Sequence, residues 1–323
     1  GNDHGLILSG VSGNRIGGTS AADRNIISGN ANLGIGVFSG GNNTIEGNII
    51  GLNAAGSSAI GNSTGVYLQD SGNNTIGGTT GGTGNVISGN TTGIGLYGNS
   101  TTGTNVYGNF VGTDATGSVA VGNTYGITVT LADVTIGGTI AGSRNVISGN
   151  TSYGIWLTNS GPSGSLIVGN YIGTDVTGQI ALTNGSAGIE VASSNNTIGG
   201  NTAAARNVIA GNTGGYGIDL QGVGANDNVI QGNTIGLAAD GTTALANYIG
   251  VRVYDSANNT IGGAGVGEGN TISGNANAGI LVSNPSATNT LIEGNAIGLN
   301  AAGTATVGNG GAGVAITSTG ANH

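Results

Sequence analysis

The sequence contains no cysteine and no lysine, and only 2 of its 323 residues are proline. Without cysteine, the chain forms no disulfide and offers no thiolate to a metal or a substrate. No apolar run approaches the roughly 18 residues that a membrane-spanning helix needs, so we predict no membrane insertion. Because the net charge is -9, nucleic acid and anionic membranes are poor partners, and we expect neither to bind.

What the sequence does contain is glycine and a regular pattern of apolar residues. Glycine supplies 71 residues. Charged residues make up 6 %, against roughly a quarter in ordinary domains. This composition alone suggests disorder, but 37 % of the residues are hydrophobic and they recur at fixed intervals. A chain with so much patterned apolar surface is predicted to fold.

Three short motifs recur together and divide the chain into five units of about 62 residues. A motif ending in IGG has its isoleucine at Ile16, Ile76, Ile136, Ile198 and Ile261. An ISGN-like motif and a motif of the type GTDATG follow with similar steps. Because similarity at a fixed period is the signature of a repeat architecture, we predict one continuous domain over residues 1–323 made of five double-coil repeats.

Each unit is itself double, because a segment of the form Gly-apolar-x-apolar returns twice per unit. The first apolar residues of these segments are Leu6, Ile35, Val66, Ile94, Ile127, Ile155, Ile189, Ile218, Val251, Ile280 and Val314. The intervals between them alternate between 28–29 and 31–34 residues. This alternation predicts about ten coils of two kinds.

Each coil contains three short apolar segments with a period of two residues, which is the pattern of β-strands. Three short strands in a coil of this length do not suit a sheet of hairpins. Each strand is therefore expected to pair in parallel with its equivalent one coil further on. Ten coils at a strand spacing of ~4.8 Å make a rod about 50 Å long. The predicted fold is all-β, a single-stranded parallel β-helix, or solenoid.

Two columns of asparagine continue through all ten coils. The first column is Asn25, Asn48, Asn85, Asn109, Asn145, Asn170, Asn207, Asn233, Asn270 and Asn295. The second column is Asn30, Asn62, Asn90, Asn123, Asn150, Asn184, Asn212, Asn247, Asn275 and Asn309. We place the first column at an inner corner, because Asn25 has the strand parity of the inward Ile27. Stacked amides there are predicted to donate to one another along the axis.

The motifs NNTIGG, RNVISGN and GNYIGTDVTG resemble the repeats of pectin-lyase-like, right-handed parallel β-helices in large bacterial surface and secreted proteins. The resemblance covers essentially the whole chain. It implies a right-handed winding and an extracellular setting, with an adhesive, structural or glycan-related role. The carbohydrate-active members of that family carry clusters of Lys, His and Asp that have no counterpart here, which argues against an enzyme.

The repeat pattern stops in mid-unit at both ends. We expect a piece of a longer array, coil ends that dock head to tail because uncapped strand edges favour such contacts, or ends that irregular loops blunt. His4 and His323 lie at opposite ends and cannot share a metal site within one chain, although a head-to-tail junction would bring them together. The acidic residues are too scattered for a strong calcium site. We therefore predict no metal and no cofactor.

The central x of the Gly-apolar-x-apolar segment points out of the rod, and this column holds the least repetitive residues. In four consecutive coils it is filled by Trp156, Glu190, Asp219 and Arg252. The next outward column adds Tyr97, Gln221 and Tyr254. Since the rest of the chain repeats closely, departures from the pattern are candidates for function.

Three interpretations of this face are open. In the first, the charge-ladder interpretation, Asp219 pairs with Arg252, Glu190 is solvated, and Trp156 is a lone surface aromatic. In the second, the aromatic rings stack on sugar rings, and the charged and polar side chains bind sugar hydroxyls. In the third, Glu190 and Asp219 are an acid/base pair. Carboxylates about 5 Å apart suit a retaining glycosidase, and their repulsion raises one pKa.

Two smaller sets of residues are predicted to be structural. Asp114 and Asp175 occupy a loop position that asparagine fills in two other units, which is typical of a side chain that caps its own turn. Arg24, Arg144 and Arg206 share one place beside these loops, and we expect them to form weak, exposed ion pairs.

The sequence therefore predicts a structural or adhesive extracellular rod, serving as a module of a surface protein or as a filament subunit. The alternative is a carbohydrate-binding or carbohydrate-active β-helix that uses the face from Trp156 to Arg252. Glu190 and Asp219 are then its catalytic candidates. Ice binding is a third possibility, but the threonine column that it requires is interrupted by Asn and by apolar residues.

Overall fold

A computed structural model describes residues 1–158 and 163–317, and over these ranges it contains 31 strands and one 3₁₀ turn, Ala21–Asp23. Numbered in chain order, every third strand joins the same sheet, so the chain passes through three sheets once per coil. All pairs between strands of these sheets are parallel, as in Ile127 beside Ile155. The chain is a parallel β-helix of about ten coils, as predicted.

Sheet one has eleven strands and is the widest of the three. Its members are β1 (Leu6–Ser9), β4 (Leu33–Phe38), β7 (Thr64–Gln69), β10 (Thr92–Tyr97), β13 (Tyr125–Thr130), β16 (Tyr153–Thr158), β19 (Ala187–Val191), β22 (Tyr216–Gln221), β25 (Ile249–Tyr254), β28 (Ile280–Ser283) and β31 (Val314–Ile316). These strands contain the Gly-apolar-x-apolar segments, so the predicted outward columns lie on this sheet.

Sheet two has ten strands and contains the IGG motifs. Its members are β2 (Arg15–Gly17), β5 (Thr44–Glu46), β8 (Thr75–Gly77), β11 (Thr104–Tyr107), β14 (Val134–Gly137), β17 (Leu166–Val168), β20 (Thr197–Gly199), β23 (Val229–Gln231), β26 (Thr260–Gly262) and β29 (Leu291–Glu293). The interrupted threonine column runs along its outer side, where Thr135 is followed by Leu166.

Sheet three also has ten strands, each of two residues. Its members are β3 (Ile26–Ile27), β6 (Ile49–Ile50), β9 (Val86–Ile87), β12 (Phe110–Val111), β15 (Val146–Ile147), β18 (Tyr171–Ile172), β21 (Val208–Ile209), β24 (Thr234–Ile235), β27 (Thr271–Ile272) and β30 (Ala296–Ile297). The second residue of each strand points into the rod, and most of these are fully buried isoleucines.

The core is a column of aliphatic side chains enclosed by the three sheets. Within one coil, Ile155 of sheet one, Ile167 of sheet two and Ile172 of sheet three all have no exposed surface. Burying each such side chain stabilises the fold by roughly 1.5–3 kcal/mol. Because consecutive coils bury the same types of residue, this apolar column continues through the rod.

The two predicted asparagine columns are confirmed as hydrogen-bonded ladders. In the first ladder each Nδ2 donates to the Oδ1 of the next asparagine at 2.9–3.1 Å. In the second ladder the same bonds measure 2.9–3.2 Å. Each Oδ1 also accepts the backbone N–H of the preceding asparagine along most of both ladders, as Asn145 does from Asn109. The ladders thus satisfy buried backbone groups as well as each other.

A third, incomplete ladder lies at the corner between sheets one and two, and the sequence did not reveal it. Its two segments are Asn14, Asn43 and Asn74, and then Asn196, Asn228 and Asn259. Each segment stops where threonine replaces asparagine, at Thr104 and Thr290. Among the described residues, these two buried hydroxyls have no hydrogen-bond partner, which is consistent with a broken ladder.

Glycine marks the corner that follows each strand of sheet two. Gly137 has a φ of 80°, and a Cβ there would lie 2.0 Å from the Val168 carbonyl oxygen of the next coil. An L-residue is disfavoured by both the backbone conformation and the contact. The repeated IGG motif is therefore a requirement of the corner and not a sign of phosphate binding.

The longer coils each carry an arm closed by an isolated antiparallel bridge, as between Thr113 and Ala120. The arms pack on the outer side of sheet three, where Val146, Tyr171 and Val208 form a small second apolar cluster. Neighbouring arms are joined by backbone hydrogen bonds, such as one of 2.9 Å between the arms of the third and fourth units. The arms therefore form a fourth layer along the rod.

The predicted caps of these arms are confirmed. The Asp114 carboxylate accepts the backbone N–H groups of Ser118 and Val119, both at 3.1 Å, and the hydroxyl of Thr116 at 2.8 Å. Burial opposes ionisation of Asp114, but hydrogen bonds from Thr116, Val119 and Ser118 outweigh it and lower its pKa. In the fourth unit alanine takes this position, and Asp240 caps the arm instead.

Replacing Asp114 by alanine is expected to destabilise the fold by about 1–2 kcal/mol, because two backbone donors lose a charged acceptor. Asp114→Asn is the matched control, since Asn53 caps the first arm through the same oxygen position and donors. Denaturant titration at neutral pH measures both variants. Equal losses in the two variants would contradict the capping role.

Candidate functional site

The outer side of sheet one brings together the residues that the sequence placed there. Trp156 lies beside Glu190, Glu190 beside Asp219, and Asp219 beside Arg252 on successive strands. Gln221 lies beside Tyr254 in the next outward column. The predicted neighbourhood is therefore confirmed, while a ligand-binding role for these residues stays a prediction.

Arg252 and Asp219 form a bidentate ion pair. The Nε and one terminal nitrogen of Arg252 donate to the two carboxylate oxygens of Asp219 at 2.7 and 2.6 Å. The guanidinium also lies over the ring of Tyr216, at 4.0 Å, and near that of Tyr254, at 4.8 Å. It reaches Gln221 at 3.3 Å. This pair, which the charge-ladder interpretation predicted, holds two tyrosines and a glutamine around one planar cation.

Glu190 is buried rather than solvated, so that part of the charge-ladder interpretation is wrong. Its side chain is covered where β19 passes between β16 and β22, and the residue is 5 % exposed. Burial, followed by the charge of Asp219 and a hydrogen bond with Asp219, raises the pKa of Glu190 to about 9, although Arg252 opposes the shift. Glu190 is therefore protonated at neutral pH. The predicted rise of one pKa in the pair is confirmed, with burial as its main cause.

The burial of both carboxyl groups argues against the acid/base interpretation. Asp219 is 1 % exposed, and both of its oxygens are engaged by Arg252. Glu190 lies beside Asp219 on the adjacent strand and is buried as well, so neither carboxyl is open to a ligand. A retaining glycosidase needs both carboxyls to reach the sugar bond from either side. This geometry is that of a structural pair.

Trp156 is not a lone aromatic, which corrects a second part of the charge-ladder interpretation. Its ring lies 5.1 Å from that of Tyr125 and 5.4 Å from that of Tyr153, and the two tyrosines stack at 6.0 Å. All three side chains are half-buried, so they leave ring surface open to solvent. They form a continuous aromatic patch on β13 and β16.

Sequence parity did not find Tyr125 and Tyr153, because each has the same parity as an inward isoleucine two residues later. A glycine after each tyrosine breaks the alternation at the coil corner. A Cβ at Gly126 would lie 2.4 Å from the Gly154 carbonyl oxygen, so this position has no room for a side chain. The signal is the pair Tyr-Gly at the start of the strand, which recurs at Tyr216.

Tyr97 lies in a second aromatic group toward the first coils. The ring of Tyr67 is 5.6 Å from that of Phe38 and 5.0 Å from that of Tyr97. Tyr97 lies on β10, which pairs with β13, and Thr128 of β13 lies beside Trp156 on the next strand. The two aromatic groups are therefore adjacent along the sheet.

These groups form what we call the aromatic strip. Its residues are Phe38, Tyr67, Tyr97, Tyr125, Tyr153, Trp156, Tyr216 and Tyr254, all in strands of sheet one. The whole chain has 1 Trp, 9 Tyr and 2 Phe, so eight of its twelve aromatic residues are in the strip. From β4 to β25 the strip crosses seven strand spacings, about 34 Å along the rod.

The expected ion pairs of Arg24, Arg144 and Arg206 are wrong. Their Nε atoms donate instead to glycine carbonyls of the next coil at 3.1–3.3 Å. The guanidinium of Arg144 also lies over Tyr171 at 4.0 Å. The neighbouring arm carboxylates are already engaged by their own loops, which explains why no salt bridge forms.

No cluster of three or more potential metal ligands occurs in the two described ranges. His323, the second histidine of the chain, lies outside them. Within the same part of the chain, no helix has the length and apolar character needed to cross a bilayer.

Comparison with known proteins finds similarity in solved structures. No family model matches the chain, and no curated protein sequence matches it. An alginate lyase from Paenibacillus sp. is 15 % identical, with 87 % of this chain and 78 % of that chain covered and a TM-score of 0.41. The A-module of a mannuronan C-5 epimerase from Azotobacter vinelandii is 17 % identical, with 93 % and 75 % covered and a TM-score of 0.44.

The Dettilon tailspike protein is also similar. It is 18 % identical, with 98 % of this chain and 60 % of that chain covered and a TM-score of 0.49. The parallel strand pairing of the three sheets identifies the fold independently of these similarities.

Proposed function

We propose that this protein is a rigid extracellular rod that binds a polysaccharide along sheet one without chemically altering it. The observation that carries the proposal is the aromatic strip, which gathers eight of the twelve aromatic residues onto one of three faces. Nothing in the folding of a β-helix requires aromatic residues on an outer face. Their concentration there supports a binding role.

The strip suits sugar rings because of its chemistry and its rigidity. The faces of a pyranose ring carry C–H groups that pack on aromatic rings, while the hydroxyl edges need polar partners. Trp156, Tyr125 and Tyr153 provide ring surface, and Gln221 provides an exposed amide beside Tyr254. Each side chain stands on a strand that is hydrogen-bonded on both sides, so little conformational entropy is lost on binding.

The acidic pair serves this surface as support. Asp219 fixes the plane of the Arg252 guanidinium, and that plane in turn packs on Tyr216 and Tyr254. Glu190 lies on β19, the strand between the two aromatic regions, and it is buried. A binding surface with buried carboxyls fits adhesion better than hydrolysis, and a polysaccharide ligand fits the extracellular setting that the repeat motifs imply.

Replacing Trp156 by alanine is expected to weaken polysaccharide binding about tenfold, because one stacking platform is lost. Affinity electrophoresis in gels that contain single soluble polysaccharides measures the effect as a loss of retardation. Tyr107→Ala is the matched control, since Tyr107 is a half-buried aromatic residue on the outer side of sheet two. That variant is expected to bind like the wild type.

Two outcomes would count against the proposal. If no polysaccharide in a broad panel retards the wild-type protein, the rod has a structural role without a glycan ligand, which is the alternative. If Tyr107→Ala and Trp156→Ala weaken binding equally, the ligand does not use sheet one.

A further inference from the structure

The charges of sheet one cancel within the sheet. Apart from tyrosines, its eleven strands contain three ionisable residues, Glu190, Asp219 and Arg252. Arg252 and Asp219 neutralise each other at 2.6 Å. Glu190 is held as the uncharged acid by burial, which raises its pKa to about 9. The strip therefore presents no net charge at neutral pH.

We infer that the ligand of this face is a neutral polysaccharide that lies lengthwise along the rod. The inference rests on the proposed function and specifies its substrate class. The polar groups that remain along the strip are uncharged, namely tyrosine hydroxyls, threonines and the exposed amides of Gln69 and Gln221. Such groups form hydrogen bonds with sugar hydroxyls but bring no positive charge to a carboxylate or sulfate.

To bind an acidic polysaccharide, a surface needs cationic side chains that are not already paired. The described residues of this face include none. Proteins that bind carboxylates and sulfates do so with arginine or lysine whose charge is available. The chain has no lysine. In the described part of the chain, Arg252 is the sole arginine of sheet one, and its charge is already matched by Asp219.

The edge of the face is acidic as well. Asp70 follows β7 directly and is exposed, and Asp255 follows β25 directly and is half-buried. The whole chain has a net charge of -9. A polyanion that approached the strip would be repelled at low salt, while a neutral chain would not be affected.

The lengthwise orientation follows from the direction of the strip. The aromatic rings follow one another from coil to coil, at ~4.8 Å per strand, and seven of the eight strands from β4 to β25 carry at least one. A chain laid across the strands would meet one or two rings. A chain laid along the axis meets both aromatic groups and the tyrosines around Arg252.

The test compares neutral with acidic polysaccharides on the same protein. A β-glucan and a galactomannan represent the neutral class, and alginate and polygalacturonate represent the acidic class. Each is used in affinity gels at low and moderate salt with wild type and Trp156→Ala. We expect at least one neutral polysaccharide to retard the wild type independently of salt. Trp156→Ala is expected to weaken this about tenfold, and neither polyuronate should give Trp156-dependent retardation.

A double variant tests the charge argument directly. Glu190→Gln with Asp219→Asn keeps the side-chain shapes, but the Asp219→Asn change leaves one acceptor for Arg252 in place of two, and Arg252 becomes the one charge on the sheet. It is expected to gain retardation by polyuronates at low salt, at least several-fold over the wild type, and to lose it as salt rises. Circular dichroism of the variant verifies that the β-helix has formed.

The possible failures are distinguishable. Trp156-dependent retardation of the wild type by a polyuronate, and by no neutral polysaccharide, would overturn this inference and leave the proposed function intact. The absence of retardation by any of the polysaccharides would overturn both. A double variant that folds and still ignores polyuronates would show that charge does not select the ligand.

Discussion

An Asn145→Leu variant is expected to lose on the order of 3–6 kcal/mol of stability. Asn145 has no exposed surface. Its Oδ1 accepts the backbone N–H of Asn109 at 2.9 Å and the Nδ2 of Asn109 at 3.0 Å. Its Nδ2 donates to the Val106 carbonyl at 2.8 Å and to Asn170 Oδ1 at 2.9 Å. Leucine has a similar volume but leaves these groups buried without partners, and each such group costs roughly 1–3 kcal/mol.

The loss is expected to be local at first, because each coil of a solenoid contacts mainly its neighbours. Hydrogen exchange should show reduced protection in the coils around Asn145 before the ends of the rod are affected. Denaturant titration measures the overall loss. Asn105→Leu is the matched control, because Asn105 lies in the outward column of sheet two and leucine occupies the same column at Leu166.

The control is expected to change stability by less than about 1 kcal/mol, since it replaces a half-buried surface residue. If the two variants were equally stable, the asparagine ladder would contribute nothing beyond its volume. The same result would weaken the explanation of why asparagine fills this corner in every coil.

The sequence was sufficient for the architecture because each structural requirement is repeated ten times. An inner corner needs a buried amide in every coil, so the two complete ladders stand out as unbroken columns. The third ladder was missed because threonine and serine interrupt it, as at Thr104 and Ser165. A single sequence does not separate an interrupted structural column from surface variation.

The candidate site was predictable in its register and not in its burial. The two-residue period of the strands predicted that four residues lie side by side, and the strand pairing confirms it. These residues are Trp156, Glu190, Asp219 and Arg252. The period gave no information on how deeply each outward side chain is buried. Glu190 was expected in water, but the large side chains of the neighbouring strands leave it 5 % exposed. Burial of an outward residue depends on its neighbours' sizes and rotamers, which periodicity does not encode.

The burial of Glu190 leads to the second large expected effect, a stability that falls as pH rises. The pKa of Glu190 is about 9 in the folded protein against an ordinary value of 4.5. Between these values the folded state holds one proton more than the unfolded state. Its contribution is complete below pH 4.5 and is lost as pH rises toward about 9, by at most about 1.4 kcal/mol per pH unit.

Glu190→Gln removes the titratable carboxyl group, and with it the pH dependence of stability that Glu190 causes. Glutamine matches the shape of the neutral acid and still donates to Asp219, so the variant should equal the wild type near pH 5. By pH 8 it should be more stable by several kcal/mol, since the unfolded wild type releases a proton that the variant never binds. The other described carboxyls with shifted pKa values, Asp23, Asp114, Asp175 and Asp240, are all shifted downward and act at more acidic pH.

Urea titrations at pH 5, 6.5 and 8 measure the difference between variant and wild type. Glu293→Gln is the matched control, because it makes the same change at a half-buried outward residue of sheet two. Parallel pH profiles for wild type and Glu190→Gln would mean that Glu190 is ionised in the folded protein. The face would then carry a net negative charge, and the statement that the strip has no net charge at neutral pH would be wrong.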